Sequence, residues 1–233
     1  MIEIIPKKVD TALLYFHTRR SCGDEIVPFM DEIRKALPNA YIWAGDGPIE
    51  GKTDDPIMGK EVTYGTSTQH YWFVFPMQSS TKASFEAARE AMGAVLVTSG
   101  GYANNLVDRV KRRFHLPVER VVLCGHQHGA CVALAAAMMR RVDPFALTIL
   151  FDPWPLETLY LQYEHELPKT KVICIDNLWV QERERQRGAQ TELYKVFRQY
   201  GMNTEGITLP EGQDRPDVYM FREAVKQIKV GIR

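Results

Sequence analysis

The chain has 233 residues, of which 45% are hydrophobic and 25% charged, and these proportions are ordinary for a globular protein with one sizeable core. Lysine plus arginine and aspartate plus glutamate both number 29, so the formal net charge is zero, which excludes a strong overall attraction to nucleic acid or to an anionic membrane. No apolar run of about 18 residues occurs and the first residues lack the layout of a signal peptide, so we expect a cytoplasmic protein without a membrane span.

The four cysteines indicate free thiols rather than a set of disulfides. Cys124, Cys131 and Cys174 lie in apolar stretches that predict core strands or a core helix, and Cys22 lies in a polar turn. Buried apolar cysteines of this kind suit a reducing compartment. None of the four forms a C-x-x-C pair, so their spacing does not indicate a zinc site.

Apolar runs and helical patterns alternate through the first part of the chain. Residues 11–17 predict a buried strand that ends at His17, and residues 25–37 place apolar side chains at a helical period. Residues 40–44 predict a second strand. The stretch 45–69 is rich in Gly, Pro, Asp and Thr, and a loop of that length inside a compact domain is usually functional or mobile.

The same alternation continues to the C-terminus. An aromatic run at 71–75 precedes residues 81–114, which have a helical pattern that Gly93, Gly100 and Gly101 interrupt or weaken. The later predicted elements are strands at 146–151, 171–175 and 206–209 and helices at 192–197 and 217–232. Because strand and helix alternate without an internal repeat or a change of composition, we expect one domain over residues 1–233. Its predicted fold is a three-layer α/β/α sandwich around a mostly parallel, doubly wound sheet.

Residues 120–139 carry the most specific pattern in the chain. Residues 121–124 are apolar throughout, as in a central parallel strand that is covered on both faces. Gly125 and Gly129 then have the spacing of the G-x-S-x-G nucleophile elbow, in which small residues relieve crowding between a strained turn and the next helix. An alanine-rich helix follows. The alternative is an ordinary βα unit whose turn contains glycine.

With these residues in place, the chain resembles the phospholipase/carboxylesterase branch of the α/β-hydrolases, the group that includes the acyl-protein thioesterases. The resemblance covers nearly the whole chain, residues 11–228. Besides the elbow, it rests on His17, where the family has the His-Gly of an oxyanion-hole loop, and on the pair Trp72-Phe73 before the long helix. It implies a minimal α/β-hydrolase fold without a large lid and a site built on a Ser-Asp-His triad.

This chain departs from the implied site at four positions. The middle of the elbow is Gln127 instead of serine, and Thr18 replaces the glycine after His17, where it would crowd the oxyanion donor. No histidine follows His165, so the order Ser-Asp-His cannot be completed.

The family positions of the acid and the base fall on other residues. The acid falls near Trp179 and Val180, with Asp176 about one turn earlier. The base falls on Gln213, or on Asp214 after a shift of one residue.

A glutamine amide at the elbow can donate and accept hydrogen bonds but cannot form an acyl-enzyme. The four departures together favour a catalytically inactive homologue that works as a binding or scaffold protein. We expect a protein partner or a small acyl ligand and no cofactor, and the resemblance is compatible with a homo-oligomer. The candidate pocket residues are His17, Thr18, Gln127, His128, Asp152 and Trp179.

Two alternatives assign an activity to the chain. The first is a carboxylic-ester or thioester hydrolase that uses non-standard residues, such as Ser21 or Cys22 in the first loop, although neither has an evident base. The second is a metal-assisted activity of His17, His126 and His128, since catalytic zinc sites commonly have three protein ligands. The competing interpretation of His126 and His128 is a packing role with hydrogen bonds.

Packing and solvation are the simpler roles for several further residues. Trp154, Tyr160 and Trp179 are more often core residues than pocket walls. Asp152 can cap the proline-rich turn that follows its strand. The charged stretch 181–187 is most simply a solvated segment, with a surface for a protein partner as the alternative.

Overall fold

A computed structural model gives the architecture of the chain. It describes residues 1–18, 21–51, 69–72, 82–140, 142–153, 170–177, 202–209 and 216–231. The strands are β1 (Ile2–Ile4), β2 (Thr11–Phe16), β3 (Ala40–Gly45), β4 (Ile49–Gly51), β5 (Gln69–Tyr71), β6 (Val121–His126), β7 (Leu147–Phe151), β8 (Val172–Asn177) and β9 (Thr204–Leu209). The α-helices are α1 (Met30–Ala36), α2 (Lys82–Phe114), α3 (His128–Met139) and α4 (Pro216–Gly231).

Seven of these strands form one sheet in the order β1-β3-β2-β6-β7-β8-β9. All neighbouring pairs are parallel except β1 and β3, so the predicted mostly parallel sheet is confirmed. The three-residue edge strand β1 is an element that the sequence analysis did not predict. Strands β4 and β5 form a separate antiparallel pair inside and just after the stretch 45–69, which was predicted as a loop.

Helices cover both faces of the sheet, which gives the predicted three layers. One face packs against α2 and α3, through residues such as Leu14, Phe16 and Leu134. The other packs against α1 and α4, through residues such as Leu13 and Phe221. Because successive strand residues point to opposite faces, the uniformly buried β2 contributes side chains to both cores.

The predicted helix at 25–37 is wrong in its first turns. The chain there forms a 3-10 helix, Gly23–Phe29, and α1 begins only at Met30. Pro28 lies inside this first segment. It has no N–H to donate and it disfavours α-helical geometry at the residue before it, which accounts for the delayed start of α1.

The glycines at 93, 100 and 101 do not interrupt the second helical pattern, because α2 runs without a break from Lys82 to Phe114. Gly100 marks the point where α2 crosses α3. A Cβ at Gly100 would lie 2.9 Å from the carbonyl carbon of Ala135. The glycine therefore allows two helix backbones to approach closely, and this use outweighs its weak helix propensity.

Several predicted features lie outside the described residues. They are the aromatic run beyond Trp72, the helix at 192–197 and the charged stretch 181–187. The four cysteines are free thiols, and Cys124, Cys131 and Cys174 are buried. No helix within the described part of the chain is long and apolar enough to cross a membrane.

Candidate functional site

The turn between β6 and α3 has the geometry of a nucleophile elbow. Strand β6 ends at His126, helix α3 begins at His128, and Gln127 between them has φ 46° and ψ −99°. A positive φ at a residue with a side chain is strained and persists only where the surrounding structure enforces it. The position that the glycine spacing predicted for the apex is therefore the strained residue of the turn.

The two glycines of the motif are required by close backbone contacts. A Cβ on Gly125 would overlap the carbonyl group of Gly129, and a Cβ on Gly129 would overlap the carbonyl oxygen of Phe16 on the neighbouring strand. Helix α3 thus rests directly against the ends of β6 and β2. This arrangement explains the spacing of four between the glycines and agrees with the elbow interpretation of residues 120–139.

The side chain of Gln127 is engaged by the loop after β2. The Thr18 hydroxyl donates a hydrogen bond to Gln127 Oε1 over 2.8 Å. The Gln127 backbone N–H donates to the carbonyl oxygen of Phe151 at the end of β7, also over 2.8 Å. The apex is consequently tied to both flanking strands, and the amide occupies the place that a nucleophile would take.

The carboxylate of Glu25, on the 3-10 helix after β2, accepts hydrogen bonds from three donors beside the elbow. Tyr15 Oη donates to Oε1 over 2.5 Å, the Thr18 backbone N–H donates to Oε2 over 3.0 Å, and His126 Nδ1 lies 2.6 Å from Oε1. His126 comes directly before the apex residue. Glu25 therefore links β2, β6 and the loop between β2 and α1.

Two opposing effects set the pKa of Glu25. Burial alone would raise it, but the hydrogen bond and charge of His126, together with the hydrogen bonds from Tyr15 and Thr18, lower the pKa from 4.5 to about 2. The carboxyl group is thus ionised at neutral pH, and His126 Nδ1 must carry the hydrogen between the two atoms. Burial, together with the charge of Glu25, raises the pKa of Tyr15 well above its usual value, so the phenol remains a donor.

A second carboxylate lies on the opposite side of the His126 ring. Asp152 follows β7 with a positive φ of 41°, its side chain is buried, and its Oδ2 lies 4.0 Å from His126 Nε2. Its backbone N–H donates to the Ile175 carbonyl oxygen over 3.0 Å. The structure therefore places the predicted pocket acid Asp152 near the elbow, and it places the His126 imidazole between two acidic side chains.

His17 serves the structure of the loops rather than an exposed site. Its ring is fully buried, Nε2 accepts a hydrogen bond from the Gly47 N–H over 2.9 Å, and Nδ1 donates to the Thr18 carbonyl oxygen over 2.6 Å. Trp72 Nε1 donates to the His17 carbonyl oxygen and its ring packs on the imidazole. Burial lowers the pKa of His17, which agrees with a neutral ring that accepts at Nε2.

Within the described part of the chain, His128 lies at a helix start and Ser21 lies in the first loop. His128 is buried at the start of α3. Within the described ranges, no three His, Cys, Asp or Glu side chains are grouped so that they could hold a metal ion, so the metal hypothesis gains no support. The Ser21 carbonyl oxygen accepts from the His70 N–H, which fixes the loop beside β5.

The family acid and base positions remain predictions. Asp176 belongs to β8, where its backbone pairs with that of Thr208. The other residues proposed for these roles or for the pocket walls lie outside the described residues: Trp179, Val180, Gln213, Asp214, Trp154 and Tyr160.

Sequence reasoning missed the part that Glu25 and Tyr15 play at the site. Glu25 was assigned to the start of a helix and Tyr15 to an apolar strand. Neither assignment predicts the hydrogen bonds that Glu25 makes with Tyr15 and His126. A sequence signal does exist. Glu25 and His126 are ionisable residues that follow or end two apolar strands predicted to be parallel, and such strand ends meet at one edge of the sheet.

Comparisons with known proteins identify the fold. No protein-family model matches the chain, and no curated protein matches it significantly. Solved structures do match: SOBER1 from Arabidopsis thaliana at 15% identity, with 97% of this chain and 100% of that chain covered and a TM-score of 0.61. Esterase PE8 matches at 15% identity, with 97% of each chain covered and a TM-score of 0.64. A carboxylesterase from Bacillus cereus matches at 10% identity, over 97% of this chain and 93% of that chain, with a TM-score of 0.57.

At these identities the likeness shows the architecture and not the chemistry. The strand order, the strained elbow and the match over the full length agree with the resemblance found in the sequence. This chain has the α/β-hydrolase fold.

Proposed function

We propose that this protein is an α/β-hydrolase homologue without serine-hydrolase activity, and that it works as a binding or scaffold protein for a small acyl ligand or a protein partner. The observation that carries the proposal is the glutamine at the strained apex of the elbow, whose side chain accepts a hydrogen bond from Thr18. The elbow keeps its shape, while the group that would attack a carbonyl carbon is replaced by an amide.

The chemistry of the amide supports this proposal. An amide nitrogen is not a nucleophile at neutral pH, so Gln127 cannot form the covalent intermediate that the elbow serves in hydrolases. In a triad enzyme, loss of the nucleophile or of the base leaves only about 10³–10⁴-fold acceleration over water, from binding and from oxyanion stabilisation. Even that residual acceleration requires free hydrogen-bond donors at the position where the oxyanion would form.

Both hydrogen-bond donors of Thr18, in the loop after β2, are engaged inside the protein. The Thr18 N–H bonds to Glu25 and the Thr18 hydroxyl bonds to Gln127. A donor that already has an ionised carboxylate as its partner gains little from a developing oxyanion, because the existing charge-assisted hydrogen bond must first be broken. These existing hydrogen bonds of Thr18 are a second reason to favour a binding function over turnover.

One observation favours an alternative, an ester or thioester hydrolase that uses non-standard residues. His126 retains an exposed fraction of 21%, and its Nδ1 is held by the ionised Glu25, which is how an acid orients a histidine base. Such a base would activate water directly, with no acyl-enzyme. Against this role, the other ring nitrogen faces Asp152 at 4.0 Å.

A panel of ester and thioester substrates with purified protein separates the two functions. We expect turnover no higher than in a heat-denatured control, and no adduct on any residue after treatment with a fluorophosphonate probe and mass spectrometry. Turnover that persists in the wild type and disappears in His126→Ala would establish the hydrolase and overturn the binding proposal. A probe adduct on Ser21 or Cys22 would do the same for the loop nucleophiles.

Replacement of the apex residue sharpens this test. We expect Gln127→Ser to remain inactive on the same panel, because the sequence has Gln213 at the family's base position and no histidine after His165. Gln127→Ala is the matched control, since it frees Thr18 equally without a hydroxyl. Esterase activity in the serine variant alone would reveal a base in the cleft and would contradict the assignment of Gln213 to the base position.

A further inference from the structure

The three groups around Glu25 form a donor set suited to any carboxylate. A phenol O–H, a backbone N–H and an imidazole N–H converge on the two oxygens, with heavy-atom distances of 2.5, 3.0 and 2.6 Å. Donors that bond to both oxygens of an ionised carboxylate make strong, short hydrogen bonds. Tyr15 and His126 belong to β2 and β6, so the sheet positions two of the three donor residues, and the third, Thr18, lies two residues beyond the end of β2.

The residue that accepts these hydrogen bonds, Glu25, comes in contrast from a segment that connects two elements. Glu25 lies on the short 3-10 helix Gly23–Phe29 and reaches the donors through two methylene groups. Its side chain keeps an exposed fraction of 17%, so the position borders solvent. A carboxylate from solution could therefore reach the same donors if the Glu25 side chain were absent.

We propose that Tyr15, Thr18 and His126 form a carboxylate-binding cradle beside the elbow, which the protein closes to external ligands by inserting Glu25. The ligand class is a small monocarboxylate. Glu25 is an internal competitor, since its effective concentration at the cradle far exceeds that of a free acid in solution. The inference goes beyond the proposed function and does not depend on ester turnover, so its failure would leave that function untouched.

The size of the occupant makes the inference testable. Glu25→Ala removes one methylene and the carboxylate, which together match acetate. Glu25→Gly removes one carbon more and matches propionate. A cradle with fixed donors should therefore prefer acetate in the alanine variant and shift its preference towards propionate in the glycine variant, whereas a general effect of salt would not distinguish the two anions.

The experiment measures the thermal midpoint of full-length variants in sodium acetate, sodium propionate and sodium chloride at equal ionic strength and neutral pH. For Glu25→Ala we expect about 0.5 M acetate to raise the midpoint by about 2–4 °C relative to chloride, with a smaller rise in propionate. Wild type and Glu25→Gln, whose side chain still fills the space, should not respond to acetate. Glu32→Ala, which removes an exposed carboxylate on α1, is the matched control and should not respond either.

Each result decides the matter. An acetate-specific rise in the alanine variant that is absent from the three controls, or folding of that variant only in acetate, supports the cradle. Equal midpoints in acetate and chloride overturn it, as does a response of Glu32→Ala of the same size. A Glu25→Ala protein that folds in neither salt also counts against it, since a cradle that binds acetate must favour the folded chain.

Discussion

The elbow and the loop after β2 meet at the carboxyl edge of the same sheet, but different interactions hold them. The elbow is fixed by backbone contacts: two glycines pressed against neighbouring carbonyl groups and a strained residue between them. The loop is fixed by side chains, chiefly Glu25 and Thr18, whose partners His126 and Gln127 lie 101 and 109 residues away in sequence.

The difference shows which parts of such a site tolerate change. Backbone contacts leave no substitute for glycine, so the shape of the elbow does not depend on which side chain stands at its apex. Polar side-chain contacts can be exchanged one at a time, each with a modest loss of free energy of unfolding. The predictions that follow test whether the two regions differ in this way.

The largest loss of stability is expected for Gly129→Ala. The added Cβ would overlap the carbonyl oxygen of Phe16, which belongs to the sheet and cannot move without breaking the packing of α3 on β2. Backbone overlap in a packed core belongs to the class of changes that cost about 4 kcal/mol or more. Chemical denaturation monitored by circular dichroism measures the loss of free energy of unfolding. Insoluble protein on expression would indicate the same destabilisation.

Gly101→Ala is the matched control for that substitution. Gly101 lies within α2, and a Cβ there would meet only Met139 Cε at 3.9 Å, an ordinary contact distance. Since alanine has the higher helix propensity, the variant should gain about 0.5–1 kcal/mol. Equal costs for the two variants would mean that the elbow is not held by backbone contact.

The same contrast explains how much of the fold the sequence predicts. Strand β6, the elbow and α3 were predicted correctly because their pattern is local: an apolar run, glycines four residues apart and alanines at helical spacing. The start of α1 was predicted wrongly at Glu25, and α2 was expected to be weakened by its glycines. The first error has a local cause, Pro28, which the helical period of the apolar residues does not show, and the second arises because the contact of Gly100 with α3 outweighs the helix propensity of glycine.

The site follows the same division. The apex Gln127 and the position of Thr18 beside it were predicted, because the motif and the resemblance place both at one edge of the sheet. The role of Glu25 was not, since nothing in a local window shows that a carboxylate between two helical segments bonds to a histidine 101 residues later. His17 was taken for a pocket residue, and its burial depends on contacts with Gly47 and Trp72.

A second prediction concerns the pH dependence that Glu25 gives to the loop. Its pKa is about 2 in the folded protein, against 4.5 for the free group. The contribution of ionised Glu25 to the free energy of unfolding is therefore fully present above about pH 5 and is lost as the pH falls from about 5 to about 2. Its upper bound is about 3 kcal/mol. Glu25→Gln should flatten the curve of unfolding free energy against pH across this window.

Glu32→Gln provides the control for the pH curve. Glu32 accepts a hydrogen bond from Arg222 over 3.2 Å, and both side chains are exposed. Exposed ion pairs contribute about 0–1 kcal/mol, so this variant should follow the wild-type curve closely. If wild type and Glu25→Gln lose stability in parallel between pH 5 and pH 2, the Glu25 contacts do not hold the loop.

The smallest effect is expected for the bond that joins the two regions. Thr18→Val keeps the shape of the side chain and removes its hydroxyl, so the donor to Gln127 Oε1 is lost. A hydrogen bond of this kind contributes about 0.5–1.5 kcal/mol, and urea denaturation resolves a loss of that size. Thr98→Val is the control, because the Thr98 hydroxyl donates only to the Ala94 carbonyl within α2, at an exposed position.

A double-mutant cycle with Gln127→Ala isolates this contact from the rest of the loop. If the Thr18 hydroxyl acts through the apex amide, the two substitutions together should cost less than the sum of the single ones, by about 0.5–1 kcal/mol. Additive costs would mean that the Thr18 hydroxyl does not act through the Gln127 side chain. In that case the elbow and the loop would be adjacent but independent, and the apex side chain would be free to serve a ligand instead of the fold.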